Sequence, residues 1–350
     1  MTILGIETSC DETGAAVVSK TDGGIELLSQ SLATSLNKHA QTGGIIPEVA
    51  AREQVKFIIP TIENTLKEAF GYTFSQKSPP PVDAIAVTYG PGLIGSLLVG
   101  VETAKTLSMH WSIPLIPVNH MYGHIYANFF HNSEIVFPAL ALVVSGGHTD
   151  LVLLTSHHKL TVLGGTRDDA AGEAFDKIGR LLGLPYPAGP TISHLAEKGD
   201  EKAFILPRPM IGSKDFSFSF SGLKTAVFNL LKKNNWNFND KTFSENNQQL
   251  LFDLCASVEY TIVSVLTRKT IAAAKEMKVK SVLLSGGVAA NKNLRKTLHH
   301  EINNLAHSPY LSIPSPDLCT DNGAMIAAAG AYSKQRLHWT ELSADPSLYY

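Results

Sequence analysis

Several features are scarce or missing in this sequence, and each absence excludes a class of protein. Only three cysteines occur among 350 residues, Cys10, Cys255 and Cys319, and none belongs to a Cys-x-x-Cys pair. Widely spaced thiols of odd number predict no disulfide framework and fit a reducing compartment. The formal net charge is only -2, so the chain lacks the excess of lysine and arginine that nucleic-acid-binding domains usually carry. Any nucleic-acid contact must therefore be local or shared with a partner.

Targeting and membrane-spanning segments are also missing. Residues 1–8 lack the basic region and the long apolar run of a secretory signal. No stretch of about 18 uncharged apolar residues occurs, so no membrane contact is expected. With 44% hydrophobic and 17% charged residues, the chain can bury substantial cores. We expect a cytoplasmic globular protein of two domains.

The order of predicted elements repeats along the chain. Residues 3–110 predict three strands in a meander, a helix, a buried strand and a second helix. A second meander begins near residue 140 and is followed by further helices and a strand. This order is typical of a ribonuclease-H-like α/β layer. We predict an α/β fold with two such domains facing a central cleft, residues 1–114 and 115–350. The second carries inserted helices, and its closing helix could pack back on the first.

A pair of histidines one helical turn apart is the most informative motif. His120 and His124 stand at i and i+4, so both imidazoles lie on one helix face and can bind one metal ion. Asp321 offers a carboxylate that a closed two-domain fold could bring alongside them. Two histidines and one carboxylate leave coordination positions open for substrate oxygens. Because the chain has 13 histidines, ordinary helix-face or core histidines are the alternative.

Polar turns follow several predicted strands. Residues 7–14 carry three carboxylates between two strands, which is longer and more polar than a hairpin requires and indicates a ligand loop. Residues 145–147 and 285–287, both Ser-Gly-Gly, offer backbone amides without intervening side chains, as a nucleotide cradle needs. Asp176 shares a helix face with two other acids, and such a carboxylate can hold ribose hydroxyls. A polar surface turn and a solvated helix face are the alternatives.

These motifs together resemble one family, the bacterial TsaD family, from residue 3 to about residue 333. The strings that carry the resemblance include Glu7-Thr-Ser-Cys-Asp-Glu-Thr, Asn119-His-Met-x-Gly-His124, Val144-Ser-Gly-Gly-His-Thr and Cys319-Thr-Asp-Asn-Gly. The resemblance implies an actin/Hsp70/sugar-kinase type of fold. It also implies an acyltransferase that moves the threonylcarbamoyl group from threonylcarbamoyl-AMP to N6 of adenosine 37 in tRNAs reading codons that begin with A. The last dozen or so residues carry no motif.

The family's functional positions can be carried onto this chain one by one. Its metal ligands fall on His120, His124 and Asp321, and acidic positions tied to activity match Asp11 and Glu12. Its substrate or nucleotide positions fall on Val143, Val144, Ser145, Gly146, Gly147, Asp176, Gly189 and Asn291. Two departures put nucleotide contacts in question: Ala188 replaces a glycine of the usual Gly-Gly-Pro, and Ser193 stands where many relatives have an acid.

Cofactors and partners follow from the same resemblance. It implies one divalent metal ion, Fe²⁺ or Zn²⁺, and a nucleotide ligand in the cleft, threonylcarbamoyl-AMP or ATP/ADP. The expected partners are the tRNA anticodon loop, the inactive paralogue TsaB bound through the first domain, and the small ATPase TsaE. A homodimer is possible when the chain is alone.

Three other functions compete with the acyltransferase. Zinc proteases with His-Glu-x-x-His use the glutamate as general base, but Met121, Tyr122 and Gly123 stand between the histidines here, so peptide hydrolysis is disfavoured. A kinase or ATPase of the same fold would hold phosphates and Mg²⁺ with oxygen ligands and has no use for paired histidines. A non-enzymatic scaffold in a tRNA-modifying assembly would not need Asp321.

Overall fold

The chain folds as two compact α/β units. The structure, a computed structural model, describes residues 1–130 and 134–350. The first unit comprises Met1–Ile135 and Pro314–Tyr350, and the second comprises Val136–Ile313. Both ends of the chain therefore belong to the first unit.

The elements of the first unit begin with three strands. In chain order they are β1 (Thr2–Glu7), β2 (Glu12–Thr21), β3 (Gly24–Thr34), α1 (Leu36–Thr42), α2 (Pro47–Phe70), β4 (Ala84–Gly90), α3 (Ile94–Trp111), β5 (Leu115–Asn119) and α4 (His120–Tyr126), with a 3-10 turn at Ala127–Phe129. The sheet order is β3-β2-β1-β4-β5. The first three strands are antiparallel, and β4 and β5 are parallel to β1. Its central strand β1 is buried on both faces, which explains its nearly continuous apolar sequence.

The second unit repeats this arrangement. Its elements are β6 (Ala139–Val144), β7 (Thr149–Ser156), β8 (Lys159–Gly165), α5 (Ala171–Leu181), α6 (Ala188–Ala196), α7 (Ser221–Lys233), α8 (Lys241–Asn246), α9 (Gln248–Met277), β9 (Ser281–Ser285), α10 (Lys292–Asn303) and β10 (Tyr310–Ser312), with a 3-10 turn at Gly287–Ala290. The sheet order β10-β9-β6-β7-β8 again combines an antiparallel meander with two parallel strands. The predicted fold class, two ribonuclease-H-like α/β layers, is confirmed. That they face a central cleft stays a prediction.

The longest helix, α9, belongs to the core of the second unit. By length and composition alone it could cross a membrane, but 72% of its most apolar window is buried inside the protein. It packs against α6 and α10. Its apolar surface is therefore used for packing between helices.

The observed division differs from the expected boundary after residue 114. Strand β5 pairs in parallel with β4, with Leu115 opposite Ile85, so it completes the first sheet. This strand was hard to predict because it has only five residues and contains Pro117, which only an edge position tolerates well.

The chain returns to the first unit through two closing helices, α11 (Pro316–Cys319) and α12 (Gly323–Tyr332). Helix α12 packs on β1, β2 and α4. The approach is so close that a Cβ added to Gly5 would lie 2.3 Å from the carbonyl oxygen of Gly323. One added to Gly323 would lie 2.5 Å from the carbonyl carbon of Ala15. Glycines thus permit backbone-to-backbone packing of the closing helix on the sheet.

Replacing Gly5 by alanine should test this packing. The new methyl group would collide with backbone atoms of α12, which cannot rotate away, so the helix must shift. We expect the free energy of unfolding in a urea titration to fall by about 1 to 3 kcal/mol. Gly212→Ala is the matched control, because a Cβ there meets no atom within 4 Å. Equal stability of the two variants would contradict the close packing.

Candidate metal centre

Helix α4 presents the paired histidines from a buried position. Asn119 ends β5 and caps the helix, since its Oδ1 accepts a hydrogen bond from the Met121 N–H at 2.8 Å. The rings of His120 and His124 lie 4.7 Å apart, centroid to centroid. Gly123 between them leaves room for α12, because a Cβ there would lie 2.7 Å from Cδ1 of Ile326.

Asp321 comes to the same place from the far end of the sequence. It lies in the turn between α11 and α12, where Asn322 caps α12 by accepting from the Met325 N–H at 2.8 Å. Oδ1 of Asp321 is 3.3 Å from Nε2 of His124 and 3.6 Å from Nε2 of His120. One donor atom from each of the three residues lies within 4.8 Å of the others. All three belong to the first unit, so the expectation that domain closure brings them together is wrong.

The three residues fit a divalent transition metal. His124 is 1% exposed, and, apart from the Asp321 carboxylate 3.3 Å from its Nε2, neither of its ring nitrogens has a polar partner for a hydrogen bond within the described part of the chain. A buried polar group without a partner is costly, and a bound cation would accept one of these lone pairs. Two imidazoles and one carboxylate suit Fe²⁺ or Zn²⁺ better than Mg²⁺ or Ca²⁺, which prefer oxygen ligands only.

Glu7 supports the centre from behind. It is fully buried, and its Oε2 lies 3.1 Å from Nδ1 of His120. Its carboxylate also accepts hydrogen bonds from the Thr88 hydroxyl and the Ser9 N–H, both at 2.5 Å. A carboxylate at Nδ1 holds the ring so that Nε2 faces Asp321, as the outer partners of metal-binding histidines commonly do. The sequence analysis assigned Glu7 to the ligand loop but not to a contact with a histidine. An acid at the end of an otherwise apolar strand was the feature that could have indicated it.

Negative charge surrounds His120 and shifts nearby pKa values. Burial alone would lower the pKa of His120, but the carboxylates of Glu7 and Asp321 outweigh it and raise that pKa to about 9 in the metal-free protein. Burial, and then the carboxylates of Asp321 and Asp11, raise the pKa of Glu12 well above its usual value. Burial also raises the pKa of the Cys10 thiol, which therefore stays protonated.

The acidic loop beside the metal centre is held by one glutamine. Nε2 of Gln54 donates to the carbonyl oxygens of Glu12 at 2.8 Å, Cys10 at 3.1 Å and Thr8 at 3.4 Å. These bonds fix the backbone that carries Asp11, which is buried, and Glu12, which is half-buried. Glu12 lies close enough to Asp321 and Asp11 for their charges to raise its pKa. Gln54 was not singled out in the sequence, because its helix gives no motif for this contact.

In the second unit, the glycine turn after β6 is open. The side chains of Val143 and Val144 are fully buried, so only their backbone could meet a ligand. Gly146 and Gly147 are exposed, and a Cβ added to either would meet no atom within 4 Å. Ser145 closes the turn, since its hydroxyl oxygen accepts from the His148 N–H at 3.1 Å.

Asp176 lies on α5, and its side chain reaches the start of α6 beside Gly189. Its Oδ1 accepts from the Ala188 N–H at 2.7 Å, and the Gly189 N–H also donates to it. Burial raises the pKa of Asp176, and these two amide bonds partly offset the rise. Asp176 and Gly189, two of the predicted nucleotide residues, are therefore hydrogen-bonded to each other. Ala188, which departs from the family pattern, still donates its backbone N–H to Asp176.

Asn291 joins three helices of the second unit. Its Oδ1 caps α10 by accepting from the Leu294 N–H at 2.8 Å. Its Nδ2 donates to Oγ of Ser193 in α6 and to Oε1 of Glu259 in α9, both at 2.7 Å. Ser193, the second residue that departs from the family pattern, thus accepts a hydrogen bond from a predicted nucleotide residue. Glu259 is buried and was missed by the sequence reasoning, because it lies inside a long apolar helix.

Comparison with known proteins identifies the family. The family model of TsaD, tRNA N6-adenosine threonylcarbamoyltransferase, matches residues 26–328. The chain belongs to this family. A relative with that name from Bacillus subtilis (strain 168) is 49% identical over 338 residues, covering 96% of this chain and 91% of the relative. One from Pediococcus pentosaceus is 46% identical, covering 99% and 95%.

Membership of TsaD confirms the resemblance found in the sequence. It also confirms the expected enzyme class, a threonylcarbamoyltransferase that acts on tRNA adenosine. A solved structure, an activator of 2-hydroxyisocaproyl-CoA dehydratase from Clostridium difficile with bound ADPNP, has a TM-score of 0.48 at 12% identity over 95% of this chain and 94% of that one. This likeness is too low to bear on function.

The pH dependence of stability should report the Glu7–His120 pair. The folded pKa of about 9 exceeds the unfolded value of about 6.5, so the protonated ring stabilises the metal-free protein fully below pH 6.5. That contribution is lost as the pH rises through 9. In Glu7→Gln, which lacks the carboxylate charge, we expect a flatter profile in urea titrations with a chelator present. Identical profiles for wild type and variant would contradict the pairing.

Proposed function

We propose that the chain transfers the threonylcarbamoyl group from threonylcarbamoyl-AMP to N6 of adenosine 37 in tRNAs reading codons that begin with A, with a divalent metal ion held by His120, His124 and Asp321. The observation that carries the metal role is the convergence of these residues around a buried imidazole that has no hydrogen-bond partner in the described chain. The donor set favours Fe²⁺ or Zn²⁺ as the ion. Family membership supports the reaction.

The chemistry explains why such a centre is useful. The exocyclic amine of adenine is a poor nucleophile because its lone pair is delocalised into the ring, so the acyl donor must be an activated mixed anhydride. When bound, the metal ion would orient the threonylcarbamoyl oxygens and stabilise negative charge that develops on the carbonyl. Glu7 keeps Nδ1 of His120 occupied, which leaves Nε2 to bind the ion. Asp11 or Glu12 accepts the proton that the amine loses.

The nucleotide part of the donor, or ATP/ADP, would be held by the second unit. The exposed backbone of Gly146 and Gly147 suits phosphate oxygens, with Ser145 and the backbone of Val143 and Val144 leading into the turn. Asp176, Gly189 and Asn291 would hold the rest of the nucleotide. Their hydrogen bonds to neighbouring helices support this, because they fix polar atoms in place before a ligand binds.

Partner proteins are proposed for the first unit. Four apolar side chains of α2 and α3 are exposed although each helix also has a buried face: Val55, Ile59, Ile94 and Leu98. Such a surface supports pairing with TsaB through this unit. TsaE would join that assembly in the cytoplasm, and the chain alone could pair with a second copy. The adenine of the tRNA anticodon loop must be unstacked to react, as recognition of single-stranded loops generally requires.

Removal of His124 is the sharpest test of the metal role. Its ring makes no hydrogen bond within the described residues, and the contact that His124→Ala removes, 3.3 Å from Nε2 to Oδ1 of Asp321, belongs to the proposed centre itself. We expect bound metal to be lost and transfer to unmodified tRNA to fall by about 100-fold or more, measured with the partner proteins by nucleoside analysis. His110→Ala, an exposed histidine at the end of α3, is the control. Full transfer by His124→Ala, or by metal-free protein, would favour a scaffold.

Substitution of Gly147 tests the nucleotide turn separately. A Cβ there meets no protein atom within 4 Å, so we expect Gly147→Val to fold with little change in stability. It would fill the space where phosphate oxygens approach the amides, and we expect affinity for threonylcarbamoyl-AMP or ATP to fall at least about tenfold. Calorimetry measures the affinity, and Gly212→Val controls for the added side chain. Unaltered affinity would remove the turn from the proposed site.

A further inference from the structure

The segment after α12, residues 333–350, lies along the edge of the first sheet. Leu337 pairs with Leu115 of β5 in antiparallel fashion, with N–H to oxygen distances of 3.0 and 2.8 Å. Strand β5 is an edge strand, so this pairing covers part of its free side. Leu342 is 3% exposed and belongs to the core of the unit. The segment is thus part of the folded unit.

Its last residues continue to the metal-binding helix. The Asp345 N–H donates to the carbonyl oxygen of Tyr89 at 2.7 Å, at the end of β4. The carbonyl oxygen of Tyr349 accepts from Nδ2 of Asn119 at 2.9 Å. The ring of Tyr350 lies 6.1 Å from that of Tyr122, centroid to centroid, on α4 itself.

The side-chain amide of Asn119 is therefore hydrogen-bonded through both its oxygen and its nitrogen. Its Oδ1 accepts from the Met121 N–H, which caps α4, while its Nδ2 donates to Tyr349. A rotation of the amide by half a turn would place donor against donor and acceptor against acceptor, so the Tyr349 carbonyl selects the capping orientation. Helix α4 has only seven residues and depends on its cap and its packing, since such short helices are marginal alone.

We propose that residues 345–350 position α4, through Asn119 and Tyr122, and thereby set the places of the His120 and His124 rings relative to Asp321. Asn119 and the Tyr349 carbonyl are positioning groups and touch no reacting atom. A test by Zn²⁺ affinity rests on the proposed metal role, whereas a test by amide hydrogen exchange in α4 does not depend on it.

Two variants separate this role from general stability. Deletion of residues 347–350 removes the contacts to Asn119 and Tyr122 but leaves Leu337, Leu342 and the Asp345 bond in place. Asn119→Ser keeps a good capping oxygen and loses the donor to Tyr349. We expect each to speed amide hydrogen exchange in residues 120–126 about tenfold and to weaken Zn²⁺ binding about tenfold, the effect typical of lost outer-shell support. Tyr349→Phe is the control, because it keeps both the accepting backbone carbonyl and the ring that lies 5.1 Å from that of Tyr350.

The outcomes are distinguishable. If the deletion unfolds the whole chain, Asn119→Ser decides. If wild-type protein binds no Zn²⁺, the metal role fails, but hydrogen exchange still tests the positioning of α4. Unchanged exchange in α4 in both variants would overturn the inference, as would an equal effect of Tyr349→Phe on exchange.

Discussion

The close approach of α12 to β1 and β2 is the constraint on which the metal centre depends. Asp321 directly precedes the cap of this helix, so its carboxylate lies where the helix packing puts it. Contact between backbones, permitted by glycines such as Gly5 and Gly323, leaves little freedom for sliding or tilting. Gly123 allows the same helix to approach α4. Helix α4 and the turn before α12, far apart in the sequence, thereby place donor atoms of His120, His124 and Asp321 within 4.8 Å of one another.

Burial of charge gives this arrangement its chemical character. Glu7 and Asp321 lie beside the buried ring of His120, and Glu12 lies close enough to Asp321 and Asp11 for their charges to raise its pKa. Burying these like charges together costs free energy. Proton uptake by His120 offsets part of this cost in the metal-free protein. A divalent cation would offset more, because it interacts with all the acids and uses the lone pairs of both histidines. The acidic loop keeps its shape without the ion because Gln54 holds its carbonyl groups.

The two units contribute different chemistry on the same scaffold. In the first, two imidazoles on a short helix and a carboxylate in the turn before α12 form a candidate set of nitrogen and oxygen ligands. In the second, the polar atoms come from a glycine turn and from residues that cap helices. Asp176 and Asn291 each serve structure already, since they bond to helix N-termini in the absence of a ligand. A residue with both roles is held rigidly, which favours binding because less order must be created when a ligand arrives.

The sequence by itself determined the fold class, the repeated strand–helix order and the family, because hydrophobic periodicity and motif strings are local properties. It also predicted His120 and His124 as a pair, since a spacing of four residues on a helix fixes their shared face. Only the tertiary structure decided that β5 completes the first sheet, that Asp321 joins the histidines within one unit, and that Glu7, Gln54, Glu259 and residues 345–350 support the predicted sites. These contacts join residues far apart in the chain, and no local pattern encodes which distant backbone a glycine or an amide will meet.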